Sequence, residues 1–245
     1  MNDLIKLIFA QIPKYITNFV NLISRPKRFV RERNQIDDES LTEALTFLGI
    51  TFVLSLIITS PLRSEGVNLW QHVAARGLLI VIAVTVNAAV LRLSWRLVGG
   101  KADFLKFFIP FCYFYAIGNV FLDVTHLLAL GVAKFWDPEF YQLIVEHFRK
   151  KSFLQSSEAE AFATRILADA QAGNFTKALV FITFVIISQS GWVAFFLWMV
   201  AGWGTFREVT GLSKERSLAA GVIFLVLAVL VFFFSFYAYV ALTEW

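Results

Sequence analysis

The sequence is poor in charge, cysteine and histidine, and each shortage excludes a class of protein. Only 16% of the 245 residues are charged, whereas a soluble domain carries about 25% and needs them to cover its surface. The single cysteine, Cys112, excludes a disulfide within the chain and a Cys-rich metal site. The three histidines are scattered and show no metal-ligand spacing. A water-covered domain and a disulfide-stapled domain are therefore both excluded.

The chain also lacks the short motifs that carry common enzyme chemistry. It contains no Walker loop, no Gly-x-Gly-x-x-Gly that opens a helix after a strand, no His-Glu-x-x-His and no Gly-x-Ser-x-Gly. We therefore expect a protein that is not an enzyme, holds no cofactor and binds no nucleic acid.

Long apolar runs are what the chain has in abundance. Hydrophobic residues make up 58% of it, with 27 Phe and 7 Trp, and the mean hydropathy is +0.67. A helix needs roughly 20 residues to cross about 30 Å of hydrocarbon. Five runs reach that length, at about 41–60, 73–93, 104–132, 178–203 and 218–242. The sequence thus predicts an all-α, polytopic membrane protein, a bundle of five transmembrane helices, whose first span opens with a capping box at Ser40–Glu43.

Residues 1–40 are predicted to be a cytoplasmic segment ahead of a membrane domain that covers 41–245. Apolar residues recur with helical period over 2–24, which predicts an N-terminal amphipathic helix that Pro13 should kink. Such a helix either lies in the membrane interface or packs on the bundle. It lacks the layout of a signal peptide, so we expect it to be retained.

Basic residues cluster beside the membrane. Five of them fall within nine positions, 25–33, and the first 40 residues hold seven. The positive-inside rule then places the N-terminus in the cytoplasm and, after five spans, the C-terminus outside. Anionic headgroups favour such a segment by about 1 kcal/mol per charge, and arginines that end the second span either snorkel to phosphates or hold a specific headgroup. The candidate lipid-headgroup contacts are Arg25, Lys27, Arg28, Arg92 and Arg96.

The connection at about 134–176 is not apolar enough to cross and predicts a helical hairpin at the membrane surface. Asp137-Pro138-Glu139 starts its first helix, with proline where a missing N–H costs nothing. A second capping box at Ser157–Glu160 starts the other helix. The side chains expected to face inward are Phe140, Ile144, Phe148, Phe162 and Ile166.

Polar side chains interrupt the apolar runs, and those at membrane depth are candidates for function. In the third run four of them are spaced by four, four and three residues, which places them on one helical face. They either relay a proton or bind a cation, or they form a hydrated cap near the far interface. The candidate intramembrane polar site comprises Asn87, Tyr115, Asn119, Asp123, His126 and Gln189.

Three features together resemble the Yip-domain family of five-helix membrane proteins, the Ypt/Rab-interacting type. They are Arg25-Pro26-x-x-Phe29 before the first span, the five spans, and Gly211-Leu212-Ser213-Lys214 before the last span. The Asp-Leu-Tyr-Gly-Pro element of eukaryotic members, which are linked to Rab-type GTPases and vesicle trafficking, is absent. The resemblance therefore implies a bacterial-like member in the inner (plasma) membrane. It implies a non-enzymatic role in organising or remodelling membrane through lipids, protein partners or a second copy.

Two alternatives remain open from the residues. One is a small permease, channel or proton-coupled transporter that uses the polar face of the third span. The other is an enzyme that acts on lipid through Asp123 and His126.

Overall fold

The computed structural model describes residues 2–33, 37–60, 68–101, 103–149, 164 and 175–243. In that part of the chain every regular element is a helix, as the sequence predicts. The helices are α1 (Asn2–Ser24), α2 (Pro26–Arg33), α3 (Asp38–Ile58), α4 (Leu69–Leu97), α5 (Phe104–Trp136), α6 (Pro138–Arg149), α7 (Phe175–Thr210) and α8 (Lys214–Thr243).

Four helices are long and apolar enough to cross a membrane, namely α3, α4, α5 and α7 over Thr176–Thr210. Their most apolar windows are only 11% to 33% buried. Leu78 on α4, for example, is 62% exposed, and Ile186 on α7 is 63% exposed. Contact between so much apolar surface and water is unfavourable, whereas contact with lipid tails is favourable. The chain is a multi-pass membrane protein; α8 covers the fifth predicted run, and its crossing stays a prediction.

The start of α3 differs from the predicted capping box. The helix begins at Asp38, and the N–H of Ser40 donates to Oδ1 of Asp37 at 2.7 Å. That bond stabilises the carboxylate, so the pKa of Asp37 lies below its usual range. The capping box at Ser40 was wrong because a carboxylate three residues earlier already serves the free N–H groups. The first helix of the predicted hairpin does start as expected, with Asp137 accepting from the N–H of Phe140 at 3.0 Å.

The described chain divides into two compact units. The first comprises Met1–Val53, Arg76–Gly118 and Leu197–Trp245. Aromatic rings fill its interior, with Tyr15 stacked on Phe47 at 4.6 Å and Phe47 against Tyr113 at 5.1 Å. Phe206 meets both Phe107 and Trp95 within about 6 Å. Many of the aromatic residues in the sequence therefore build a protein core as well as facing lipid.

Indole N–H groups join helices within this first unit. Trp198 on α7 donates to the backbone oxygen of Phe114 on α5 at 2.9 Å. Trp203, also on α7, donates to the backbone oxygen of Ser217 on α8 at 2.8 Å. Gly202 makes the first contact possible, because a Cβ there would lie 3.0 Å from the Phe114 ring. Small residues at such crossings let helices in membranes approach closely.

The second unit comprises Leu54–Ala75 and Asn119–Phe196. Its described core consists of Leu130, Ala133, Phe140, Ile144 and Val180, so α6 packs against α5 and α7. The inward direction predicted for Phe140 and Ile144 is confirmed. The side chains of Phe148, Phe162 and Ile166 lie outside the described residues, as does the predicted second helix of the hairpin.

Candidate functional site

The short basic helix α2 is fixed to the first unit by two apolar side chains. Phe29 and Val30 are each only 2% exposed. The ring of Phe29 meets Tyr113 of α5 edge-on at 5.0 Å, and the guanidinium of Arg33 lies 4.3 Å above the same ring. Because side chains on one face are buried, the basic residues on the other face have a fixed direction. Lys27 and Arg28 on α2, and Arg25 just before the helix, are all exposed.

A polar network fastens α1 and α2 to α3. The side chain of Glu43 on α3 is 16% exposed and accepts from Nδ2 of Asn18 at 2.7 Å and from Nε of Arg33 at 3.3 Å. Nη2 of Arg33 also donates to Oδ1 of Asn18 at 3.0 Å, and Nζ of Lys14 lies 3.8 Å from Glu43. Charge-assisted bonds of this kind are about twice as strong as neutral ones. The network therefore sets how the whole basic segment sits on the membrane-crossing helices of this unit.

Helix α1 has a buried face and an exposed apolar face. Tyr15, Asn18 and Leu22 are buried, and the Tyr15 hydroxyl bonds Oγ1 of Thr51 at 3.0 Å. Burial raises the pKa of Tyr15. On the exposed face lie Ile16, Val20 and Ile23, with 54%, 54% and 40% of their surface open. Packing on the unit thus uses one side of α1 and leaves a second apolar stripe uncovered by the described residues.

A cleft of about 370 Å³ opens between α1 and α3. Asp38, Glu39 and Glu43 line it from α3, and Gln11 and Lys14 line it from α1. Among the described residues no group of His, Cys, Asp or Glu has the arrangement of a metal site. Glu43 already serves the network, so the cleft offers only exposed carboxylates to a ligand.

The predicted headgroup contacts all belong to the first unit. Arg25, Lys27, Arg28 and Arg96 are exposed, and Arg92 is half-buried. Nε of Arg28 also pairs with Oε1 of Glu32 at 2.6 Å, which raises the pKa of Arg28 and lowers that of Glu32. Exposed pairs of this kind exchange readily with solvent or headgroups, because they contribute little to stability.

The predicted intramembrane polar residues do not gather in one unit. Asn87 and Tyr115 belong to the first unit, whereas Asn119, Asp123, His126 and Gln189 belong to the second. Nδ2 of Asn87 donates to the backbone oxygen of Ala83 in its own helix at 2.8 Å, and Nδ1 of His126 lies 2.7 Å from the backbone oxygen of Leu122. Gln189 is exposed, while Asp123 is buried with 9% of its surface open.

Two residues near the basic helix α2 carried no sequence signal. Glu43 was assigned to a capping box, and nothing in the spacing pairs it with Asn18 or Arg33. Thr205 on α7 was not singled out either, although its hydroxyl is buried without a hydrogen-bond partner among the described residues. An isolated threonine in an apolar helix is common, and only the three-dimensional neighbours distinguish this one.

Comparison with known proteins does not assign the chain to a family: no protein-family model, curated protein or solved structure matches it. The function must therefore be argued from the site alone.

Proposed function

We propose that the chain is a Yip-domain-like, five-helix membrane protein that is not an enzyme and that organises or remodels the bilayer through lipid and protein contacts. In this proposal α8 is the fifth span, the N-terminus is cytoplasmic, the C-terminus is outside, and the membrane is a bacterial inner membrane. The observation that carries it is the combination of the docked basic helix α2 with the exposed apolar stripe of α1.

The two helices suit the headgroup layer for complementary reasons. The stripe of Ile16, Val20 and Ile23 can enter the boundary between headgroups and acyl chains, as interfacial helices do. The exposed Arg25, Lys27 and Arg28 then lie beside anionic headgroups, which attract basic residues next to the membrane. Because Phe29 and the Glu43 network fix both helices to the protein, their insertion would act on the bilayer as a rigid wedge.

Vesicle shape tests this function. The full chain is reconstituted at equal density into vesicles of phosphatidylcholine with phosphatidylglycerol, and their diameters are measured by electron cryomicroscopy. We expect the parent to narrow or tubulate the vesicles. The triple variant Ile16→Ser, Val20→Ser, Ile23→Ser should lose the effect, while Thr17→Ser with Asn21→Gln, exposed polar positions on the same helix, should keep it. Parent vesicles indistinguishable from protein-free ones would overturn the proposal.

The burial of Asp123 favours a second candidate function, that of a small permease, channel or proton-coupled transporter. An ionisable group buried in a candidate membrane span is costly to keep and is a functional candidate for that reason. The same vesicles, loaded with a pH-sensitive dye, should then show a pH-dependent flux that Asp123→Asn abolishes and that Ser190→Ala, at an exposed position outside the candidate polar site, preserves. A parent without flux, or a flux unchanged in Asp123→Asn, would rule this function out.

A further inference from the structure

A second, smaller cleft lies where α2 meets the last turns of α7. Its volume is about 170 Å³, well above the roughly 10–15 Å³ that a single water needs. It can therefore take a polyatomic group. The lining residues are Lys27, Val30 and Arg31 from α2, and Thr205, Glu208 and Val209 from α7.

The hydroxyl of Thr205 is the unusual member of this lining. Thr205 is 1% exposed, and its Oγ1 has no hydrogen-bond partner among the described residues. Other threonines in the described helices satisfy their hydroxyl on a backbone oxygen of the preceding turn, as Thr51 does on Phe47 at 3.0 Å and Thr210 does on Phe206 at 2.9 Å. Buried polar groups are nearly always paired, so this hydroxyl indicates a missing acceptor or donor in the cleft.

Cationic groups lie on the same side of the cleft. A Cβ at Gly204 would lie 3.1 Å from Cε and 3.7 Å from Nζ of Lys27, so the ammonium rests against α7 next to Thr205. Arg31, four residues after Lys27 on the same helix, pairs with Glu208 at 3.3 Å, and its side chain is 72% exposed. The two cations and one carboxylate leave a single net positive charge, which matches the single negative charge of a phosphodiester.

We propose that Lys27, Arg31 and Thr205 bind the phosphodiester group of a membrane phospholipid. Lys27 and Arg31 donate to the phosphate oxygens, and the Thr205 hydroxyl donates the hydrogen bond that it otherwise lacks. The source is a lipid because the cleft lies at the end of a candidate membrane span, Thr176–Thr210, where headgroups are found. The inference rests on the proposed contact with lipids and adds a defined binding site to it.

Lipid binding to the full chain in detergent tests the site without reference to vesicle shape. Phosphatidylglycerol is titrated, and binding is measured by native mass spectrometry together with the rise in melting temperature that the lipid causes. Thr205→Val keeps the side-chain volume and removes only the hydroxyl. We expect about tenfold weaker binding, the equivalent of roughly 1.4 kcal/mol for one charge-assisted bond, and no fall in the melting temperature of the lipid-free protein.

Thr210→Val is the matched control, since it removes a hydroxyl from the same helix outside the cleft and should bind as the parent does. Lys27→Gln should weaken binding as well, and it keeps the test decisive if Thr205→Val fails to fold. Parent-like affinity in both cleft variants would overturn the site. Equal binding or stabilisation by inorganic phosphate would overturn the lipid as its ligand.

Failure of this site and failure of the proposed function are separable. The triple variant on α1 should still bind phosphatidylglycerol at this cleft, whereas Thr205→Val should still narrow vesicles through the intact α1 stripe. If the parent binds phosphatidylglycerol but does not narrow vesicles, the binding site is therefore supported and only the membrane-remodelling function is rejected.

Discussion

Glu43 shows how far a single residue can be interpreted from sequence. Its spacing from Ser40 predicted a capping box, a local role that needs only four consecutive residues. Its actual partners, Asn18 and Arg33, lie 25 and 10 residues away along the chain. Contacts of that range depend on how α1 and α2 fold back onto α3, which no local pattern encodes. The sequence did identify Asp137 and Pro138 as a helix start, because that signal is local.

The role of Glu43 predicts what removing its charge would do. Glu43→Gln keeps the volume but leaves the guanidinium of Arg33, 27% exposed, without its counter-charge. We expect a cost of about 1–2 kcal/mol, since both groups keep some contact with solvent. That cost should raise the population in which α1 and α2 detach by about tenfold, and trypsin should cut after Lys27 and Arg28 correspondingly faster in detergent.

Two variants test whether the Glu43 network holds α1 and α2 against α3. Glu39→Gln removes an exposed carboxylate from the same cleft and should be cut at the parental rate. Arg33→Gln combined with Glu43→Gln should recover most of the protection, because neither partner then keeps a charge without its counter-charge. Parental cutting rates in Glu43→Gln would show that the network does not hold the segment.

At the scale of whole helices, hydrophobic length predicted the elements well and their contacts poorly. The starts and ends of the long helices differ from the predicted runs by a few residues, because capping and helix continuation outside the membrane extend them. For α7 the difference is larger, since it runs on to Thr210, where Gly211 takes a φ of +64°. Crossing points such as Gly191 against Thr125 had no signal, because the sequence shows many small residues and no Gly-x-x-x-Gly pair.

Adding one methyl group where α5 and α7 cross in the second unit should destabilise the protein. A Cβ at Gly191 would overlap Oγ1 of Thr125 and lie 3.1 Å from its Cβ. The Thr125 hydroxyl is also held by the backbone oxygens of Phe121 and Leu122 at 2.9 Å. Gly191→Ala should therefore destabilise the protein by about 1–3 kcal/mol through overpacking, measured as a lower midpoint on titrating the folded chain with sodium dodecyl sulfate in mixed micelles.

Gly131→Ala is the internal control for that experiment. A Cβ at Gly131, on α5 in the same unit, would have no neighbour within 4 Å among the described residues. Its midpoint should stay the same or rise, because alanine favours helix over glycine by up to about 1 kcal/mol. Thr125→Ala should rescue Gly191→Ala in part, since it removes the hydroxyl and leaves Cβ. A midpoint equally low in both glycine variants would show that added bulk at the crossing is not the cause.

At the scale of the whole molecule, composition predicted that the protein lies in a membrane, but it did not locate a functional site. The low charge and long apolar runs predicted a membrane protein, and four long helices with largely open apolar surfaces bear this out. The aromatic content did not indicate where the rings lie, and Phe107, Trp95 and Phe206 pack together inside the protein. Hydrophobicity alone cannot separate a lipid-facing position from a core position, because lipid tails and a protein core are equally apolar.

The number of spans determines whether the two ends of the chain lie on the same side of the membrane. Locating both ends therefore tests whether α8 crosses it. With five spans and seven basic residues in the first 40, the N-terminus should be cytoplasmic and the end of α8 outside. Cys112 is buried and can be replaced by alanine, after which single cysteines are introduced. In intact cells a membrane-impermeant maleimide should label Thr243→Cys and spare Asn2→Cys, and detergent should make both reactive.

Two further positions calibrate the labelling. Asn68→Cys, after the first span, should react in intact cells, whereas Lys101→Cys, between the second and third spans, should react only after permeabilisation. If Asn2→Cys and Thr243→Cys behave alike while these two differ, the spans are four and α8 does not cross. The resemblance to five-helix proteins would then lose its strongest feature, while the docking of α2 and the Thr205 cleft would stand, since neither depends on α8.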